Sequence, residues 1–458
     1  MFWREPALLG ETPAVSEKML RAADHWMTLF CGQAPWLLDG NTQSINLPAA
    51  IAGELARLVT VELAGSVSGS ARADYLNAQL APVLGALRTQ CEYAAAGGGL
   101  MMKPYVNGAG IGVDFVQAQS FIPTAWNAHG DITGAVFMEQ MKKPHGNYTR
   151  LERHSMTKDG YFIENTAYFS PTEHALGVKT PLTAVTEWAM LSPKITLRCA
   201  DGSPLAKPLF AYFKMPFANQ EDTASPLGVS VYSRATGLIE QADRQYTRIL
   251  WEYEGSELAV DASIGALQTE NGDMRLPHGK ERLFRELSID KGDGGDLYSV
   301  FSPVIRDGSL FNGLNQLLKR IEFSCYLSYG TLSDPQSVEK TAEEIKMSRQ
   351  RSFSAVCDTQ KSHAAALHTL VDAMDVYASL YALAPDGIYE TQLQFGDAIA
   401  IDTEREREAM RADCRDGAAA WWEYRMKFYG ESEAAARAHA NEAAGTAGEE
   451  VSIKKEIG

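Results

Sequence analysis

Apolar residues fall at helical spacing between residues 15 and 95 and again from 228 onward, with one long stretch of strand spacing between. Between residues 15 and 95 the steps are three and four: Met19, Ala22, Ala23, Trp26 and Phe30 form one stripe, and Ile51, Leu55, Leu58 and Val59 another. The run Ala94-Ala95-Ala96-Gly97-Gly98-Gly99 then stops the helix, because consecutive glycines remove helix propensity and open positive φ. From Leu100 to Ser170 the period changes. Short runs rich in Val, Phe, Tyr and Thr alternate with the turn signals Asn107-Gly108, Asn127 to Gly130, His145-Gly146-Asn147 and Asp159-Gly160, which predicts an antiparallel sheet or meander.

Residues 171 to 227 carry Pro204, Pro208, Pro216 and Pro226, which predict strands and loops rather than one long element. Helical order returns at 228 to 254, with Ile239, Ala242, Tyr246, Ile249 and Tyr253 on one stripe and Gly255 ending it. A second helix is predicted after Pro303, with Leu310, Leu314, Leu317 and Ile321 on its apolar face and Lys319, Arg320 and Glu322 off it. Between the two helices, TENGD, PHG and DKGDGGD predict a small turn-rich α/β insert that protrudes from the body. Residues 341 to 383 are helical again, with Leu367, Leu370, Val371 and Met374 as the stripe, and 403 to 444 form an acidic, alanine-rich helical end. The predicted fold class is therefore α+β.

Composition narrows the function classes. The chain has 458 residues, 45% of them hydrophobic, enough for a large core and several domains. Lys plus Arg number 42 against 58 Asp plus Glu, and a net charge of −16 argues against a protein that holds nucleic acid by neutralising phosphates. Six single cysteines, Cys31, Cys91, Cys199, Cys325, Cys357 and Cys414, form no CxxC pair and read as buried thiols of a reducing cell. No secretory leader and no apolar run of membrane-spanning length is present, which predicts a cytoplasmic protein without a membrane span.

Candidate chemistry is sparse. Gly108-Ala109-Gly110-Ile111-Gly112 is rich enough in glycine for a phosphate loop, but strand-like Val113-Asp114-Phe115-Val116 follows where a helix is required, so it reads as a hairpin turn. Glu152 and His154 share a strand face with His145 nearby, and no third ligand is spaced to close a zinc site, so they read as a hydrogen-bonded pair. His363 and His368, five apart, read as surface or interhelix polar residues. Glu339, Glu343 and Glu344 offer carboxylates for Mg²⁺ but read as a solvated helix face. No Gly-x-Ser-x-Gly elbow and no cysteine nucleophile signature anchors a hydrolase.

Four stretches in a fixed order carry a resemblance. They are MMKPYVNGAGIGVDFVQAQSFIPTAWNAHGDITGAVF; LERH followed by GYFIENTAYFS; FAYFKMPFANQEDTASPLGVSVYSRATGLIEQADRQYTRILWE; and VFSPVIRDGSLFNGLNQLLKRIEFSCYLSYGTLSD with the Thr341-Ala342-Glu343-Glu344-Ile345 run after it. Together with WWEYRMKFYGESEAAARAHA near the end, they resemble the portal proteins of tailed bacteriophages, in particular those of long-tailed phages and prophages of Gram-positive bacteria. Glu343 stands where that family usually has Thr.

The resemblance implies a portal fold assembling as a twelve-subunit ring. Residues 1–227 would form the wing, 228–255 and 303–329 the paired stem helices, 256–302 the clip, 330–402 the tunnel loop and a wing helix, and 403–458 a short helical crown. It further implies no cofactor, no metal and no catalysis. The partners would be double-stranded DNA passing through the channel, the large terminase, a head-tail adaptor, and the major capsid and scaffold proteins. The location would be the virion vertex, after assembly in the host cytoplasm. Channel-facing candidates are Lys319, Arg320, Thr331, Ser333, Asp334, Gln336, Ser337, Glu339 and Lys340; clip-docking candidates are Asn271, Asp273, Arg275, His278 and Lys280. The rival readings are a Mg²⁺-dependent nuclease or phosphohydrolase and another head-tail connector or minor head protein.

Overall fold

The computed structural model describes residues 15–108, 110–173, 175–199, 201–256, 259–263, 284–287, 298–301, 304–334, 342–396, 403–429, 433 and 435–439. The chain divides into two compact units, Met1–Gly396 and Asp397–Gly458, and mixes helix with mostly antiparallel sheet as an α+β protein.

In the larger unit, Ser16 caps helix α1 (Glu17–Phe30) by accepting the Met19 N–H, and Met19, Ala23 and Trp26 of the predicted stripe are buried. Helix α2 (Leu47–Val59) starts with Pro48 in its first turn, where a missing N–H costs nothing. Strand β1 (Ala64–Ser68) leads to helix α3 (Ala71–Gly97), capped by Ser70 and closed by Gly98 at φ +89°. Gly98 is required twice over. Its positive φ disfavours a side chain, and a Cβ there would lie 2.5 Å from the Gly228 carbonyl oxygen.

Strands β2 (Gly99–Asn107) and β3 (Gly110–Gln117) form the predicted two-residue hairpin, and β10 (Ala211–Lys214) pairs with the other side of β2. The second sheet runs β4 (Phe121–Trp126), β5 (Ile132–Lys143), β6 (Gly146–Thr157), β7 (Gly160–Ser170) and β8 (Val178–Thr180), with β9 (Lys194–Leu197) also on the outer side of β7. Each turn signal named in the sequence falls between two of these strands.

Helix α4 (Thr236–Gly255) starts later than the pattern predicts, because residues 231–235 form a turn that buries Tyr232 and donates its hydroxyl to the Trp26 carbonyl. Strands β11 (Ala259–Ser263), β12 (Phe284–Leu287) and β13 (Tyr298–Phe301) follow, and then helix α5 (Asp307–Ser324). The long helix α6 (Ala342–Leu380) packs on β10, β2 and α2, with Leu367, Leu370, Val371 and Met374 all buried. After it, β14 (Glu390–Gln394) returns to pair with β1, a long-range pairing that no local signal announces. Arg72 fixes this closure. Its buried guanidinium donates to the Pro385 carbonyl at 3.0 Å and to Asp386 at 2.6 Å.

Two sequence expectations are corrected. His363 is buried, not a surface or interhelix residue: its ring stacks on Phe213 of β10 at 4.2 Å and its Nδ1 finds no partner among the described residues. His368 is exposed. Of the six cysteines, Cys91, Cys325 and Cys414 are buried, but Cys31 and Cys199 are exposed and Cys357 is half-buried.

The smaller unit holds helices α7 (Thr403–Arg415) and α8 (Trp421–Tyr429) as an antiparallel hairpin. Arg411 donates to the Tyr424 hydroxyl at 2.9 Å and Arg407 to the Phe428 carbonyl at 3.3 Å, each guanidinium lying near the same residue's ring.

Gly98→Ala is expected to lower stability in chemical denaturation by at least about 2 kcal/mol, through strain at positive φ and collision with residue 228. Burial depresses the His363 pKa from 6.5 to about 4. Between those values the unfolded chain binds the proton that the folded chain refuses. Its contribution is therefore complete above pH 6.5, shrinks as pH falls through the window and is level below about 4. His363→Phe, which keeps the stack on Phe213, should flatten the slope of stability against pH across that window.

Candidate functional site: a helix pair carrying an inserted sheet

Helices α4 and α5 pack against each other. Gln245 in mid-α4 donates to the Leu310 carbonyl at 3.1 Å, and Arg306, just ahead of α5, meets Glu252 near the end of α4. The chain thus leaves along one helix and returns beside it in the opposite direction. The stripe explains the contact: Ile239, Ala242 and Ile249 of α4 and Leu314 and Ile321 of α5 are buried.

Polar anchors fix the pair at both ends and in the middle. At the far end the buried Glu252 carboxylate accepts the Arg306 backbone N–H at 3.3 Å and its guanidinium at 3.1 and 2.8 Å, and these bonds hold its pKa below the ordinary carboxylate range. The insert therefore springs from a clamped base. Within it β11 lies in the centre, parallel to β12 and antiparallel to β13, with Ala259 opposite Phe301, so the sheet begins and ends where the helices do.

Near the middle of α4 the buried Asp243 accepts from the Trp36 indole at 2.9 Å, the Ser44 hydroxyl at 3.1 Å and the Ile45 N–H at 3.0 Å, which ties residues 36–45 to the helix. At the end of α5 Glu322 is fully buried, not on the polar face that the pattern assigns to it. Its Oε1 accepts the N–H groups of Gly330 (3.1 Å), Leu332 (2.6 Å) and Ser333 (2.8 Å), and its Oε2 accepts the Ser333 hydroxyl at 2.8 Å. Asn315 accepts the Asp334 N–H at 2.9 Å. Arg351 of α6 lies over the Phe323 and Tyr329 rings. The turn after α5 is thereby pinned to the helix it leaves.

Of the channel candidates, Lys319 is half-buried and Arg320, Thr331 and Asp334 are exposed on α5 and its following turn. Ser333 is corrected: it is buried with its hydroxyl committed to Glu322, and so serves the turn. Gln336, Ser337, Glu339 and Lys340, and all five clip candidates, Asn271, Asp273, Arg275, His278 and Lys280, lie outside the described residues. Reading only apolar periodicity misses Asp243, Glu252 and Glu322. The one local signal for Glu322 is its place between Ile321 and the Gly-Thr turn.

Glu152 and His154 do bond, Oε1 to Nε2 at 2.7 Å, inside a buried network. Leu209 N–H donates to the Tyr161 hydroxyl at 3.1 Å, Tyr161 donates to His154 Nδ1 at 2.7 Å, and the Nε2–H of His154 then points to Glu152. Burial keeps His154 neutral by lowering its pKa. Burial would raise that of Glu152, but Lys103 at 2.7 Å, His154 and Arg150 hold it well below the usual range. Among the described residues no group of three His, Cys, Asp or Glu is placed to hold a metal ion, and no helix is long and apolar enough to cross a membrane.

No family model and no curated protein matches the chain. Among solved structures, a chain in the neck of a native GTA particle, computed with C12 symmetry, is similar over 90% of this chain and 94% of its own length, at 10% identity and a TM-score of 0.43. At that level the likeness carries no argument about function.

Glu322→Ala leaves the Leu332 and Ser333 N–H groups and the Ser333 hydroxyl without their acceptor, and Gly330 with only its bond to Ser333 Oγ. We expect a loss of at least about 2 kcal/mol, with hydrogen exchange at Gly330, Leu332 and Ser333 accelerating more than at the rest of the chain.

Proposed function

We propose that this chain is a portal-type ring subunit of a phage-like particle, with a structural rather than enzymatic role. The observation that carries the reading is the antiparallel pair α4–α5, clamped by Glu252 and Arg306 and carrying a small sheet at its tip, on a chain whose ordered sequence stretches resemble phage portals. The pair is also unfinished as a surface. Trp251, Tyr253, Phe311 and Phe323 stay exposed on it, Trp251 by 66%, and Val304 at its base by 90%. Large apolar side chains left exposed on two packed helices suit a contact face, and in the proposed ring neighbouring copies of the same pair would cover some of them.

In this role the helix pairs line a channel for double-stranded DNA. A ring multiplies the charge of each subunit about one axis, so an acidic wall repels the DNA backbone and lets it slide. Lys319 and Arg320 add limited attractive rings. The insert would dock the packaging motor and later a head-tail adaptor, and the sheets of the larger unit would meet capsid and scaffold. The protein would reside at the virion vertex.

Light scattering and negative-stain imaging of the purified chain test the reading. A ring of about a dozen copies with a central hole is expected, and Trp251→Asp with Phe311→Asp should return it to folded monomers of unchanged circular dichroism. A compact monomer or dimer at every concentration, or metal-dependent DNA hydrolysis lost on removing one carboxylate pair, would overturn it.

A further inference from the structure

Two sheet edges of the larger unit are bare, and their chemistry is complementary. The phase of β3 follows from its hairpin. Asn107 and Gly110 close a two-residue turn, so residues 110, 112, 114 and 116 bond to β2, and 111, 113, 115 and 117 turn their backbone groups outward. The Ile111 N–H confirms the phase by donating sideways to Gln79 at 2.9 Å. Beyond that blocked end, the outward N–H and C=O groups of Val113, Phe115 and Gln117 have no partner among the described residues. Beside this edge lies a cavity of about 340 Å³ lined by Asp114, Glu139 and Glu152 against only Lys103 and Arg150. Asp114, half exposed, sees Lys103 no closer than 3.6 Å.

Strand β9 forms the opposite case. Thr157 and Gly160 close a two-residue turn, so the odd residues of β7 face β9, as the Asn165 N–H to Pro193 carbonyl bond of 2.8 Å confirms. Ile195 and Leu197 therefore bond to β7, and Lys194, Thr196 and Arg198 turn their backbone groups outward, again without partner among the described residues. This edge is basic. Lys194 and Arg198 are exposed, and Val178, Met190 and Leu191 are bare beside it, Met190 by 94%.

We propose that β9 of one copy adds to β3 of the next, an inference that rests on the ring reading above. Three outward residues on one edge match three on the other, and an acidic edge meeting a basic one on different faces of the same chain is a head-to-tail contact, the kind that closes rings. Charge selects the direction. Antiparallel addition would set Lys194 on the face of Val113 and Phe115, away from Asp114; parallel addition sets Lys194 across from Asp114, Ile195 from Phe115 and Thr196 from Val116. Lys194 gives up an exposed pair with Glu164 and its contact with the Phe162 ring.

The test uses the full chain with Cys31→Ser and Cys199→Ser, removing the exposed thiols, and with Val116→Cys and Thr196→Cys added. On oxidation, a series of covalently joined oligomers is expected, absent with either added cysteine alone. Asp114→Lys should weaken assembly by about tenfold or more, and Lys194→Asp in the same chain should restore it. Rings without covalent oligomers overturn the edge contact and leave the ring reading standing. Monomers at every concentration overturn both. Covalent oligomers from Phe115→Cys with Thr196→Cys, and not from the first pair, overturn the parallel register.

Discussion

Carboxylates buried at the joints between elements hold this fold in register. A carboxylate taken out of water without donors costs several kcal/mol, so each one admits only the arrangement that satisfies it. Asp243 can be buried in α4 only if residues 36–45 return to it, and Glu252 only if Arg306 opens α5 beside the end of α4. Glu322 needs the turn at 330–333 to fold back over the end of α5. Apolar burial gives these helices their affinity for each other but leaves sliding and rotation cheap. The acids remove that freedom and fix how the two helices and the sheet between them sit.

The same logic joins the sheets. Lys103 on β2 and Arg150 on β6 both reach Glu152, and Glu152 in turn fixes the tautomer of His154 through to Tyr161 and the Leu209 backbone. Every member has its partner, so the network is a rigid strut between two sheets. The chain of bonds ends on the Leu209 backbone N–H.

Periodicity made most elements legible. The stripes of α1, α2, α4, α5 and α6 and the turns of the β2–β3, β5–β6 and β6–β7 hairpins follow from local chemistry, since spacing and glycine placement act within a few residues. The anchors were not legible, because a binary pattern assigns every Glu to the outside, and Glu322 beside Ile321 looks like the edge of an amphipathic face. His363 misled for the same reason: neutral, it packs on Phe213 as an aromatic ring does. The β1–β14 pairing and the closure by Arg72 depend on partners some three hundred residues away in sequence, which no local window contains. Of the candidate site, the two helices and the insert between them were visible and its clamps were not. The resemblance supplied an order of elements, to which the geometry adds the joints.

The smaller unit and the charge of the chain meet in one question, how copies bearing −16 each associate at all. At physiological salt the Debye length is roughly 8 Å, so repulsion between distant acids on neighbouring subunits is mostly screened, and the outcome is decided within contact range. There the chain is not uniformly acidic. Arg407, Arg411 and Arg437 in the smaller unit are laid against Phe428, Tyr424 and Trp422, which hides positive charge in cation–π contacts within that unit. Lys194 and Arg198 stand on an exposed edge, Lys194 paired with the Glu164 carboxylate and lying over the Phe162 ring, Arg198 bonded to the Asp159 carbonyl. A chain that spends some cations internally and keeps others at one bare edge has the charge pattern of a directional contact, since copies can approach with only one pair of faces matched. In the proposed ring, that one matched pair of faces would outweigh the residual repulsion between copies.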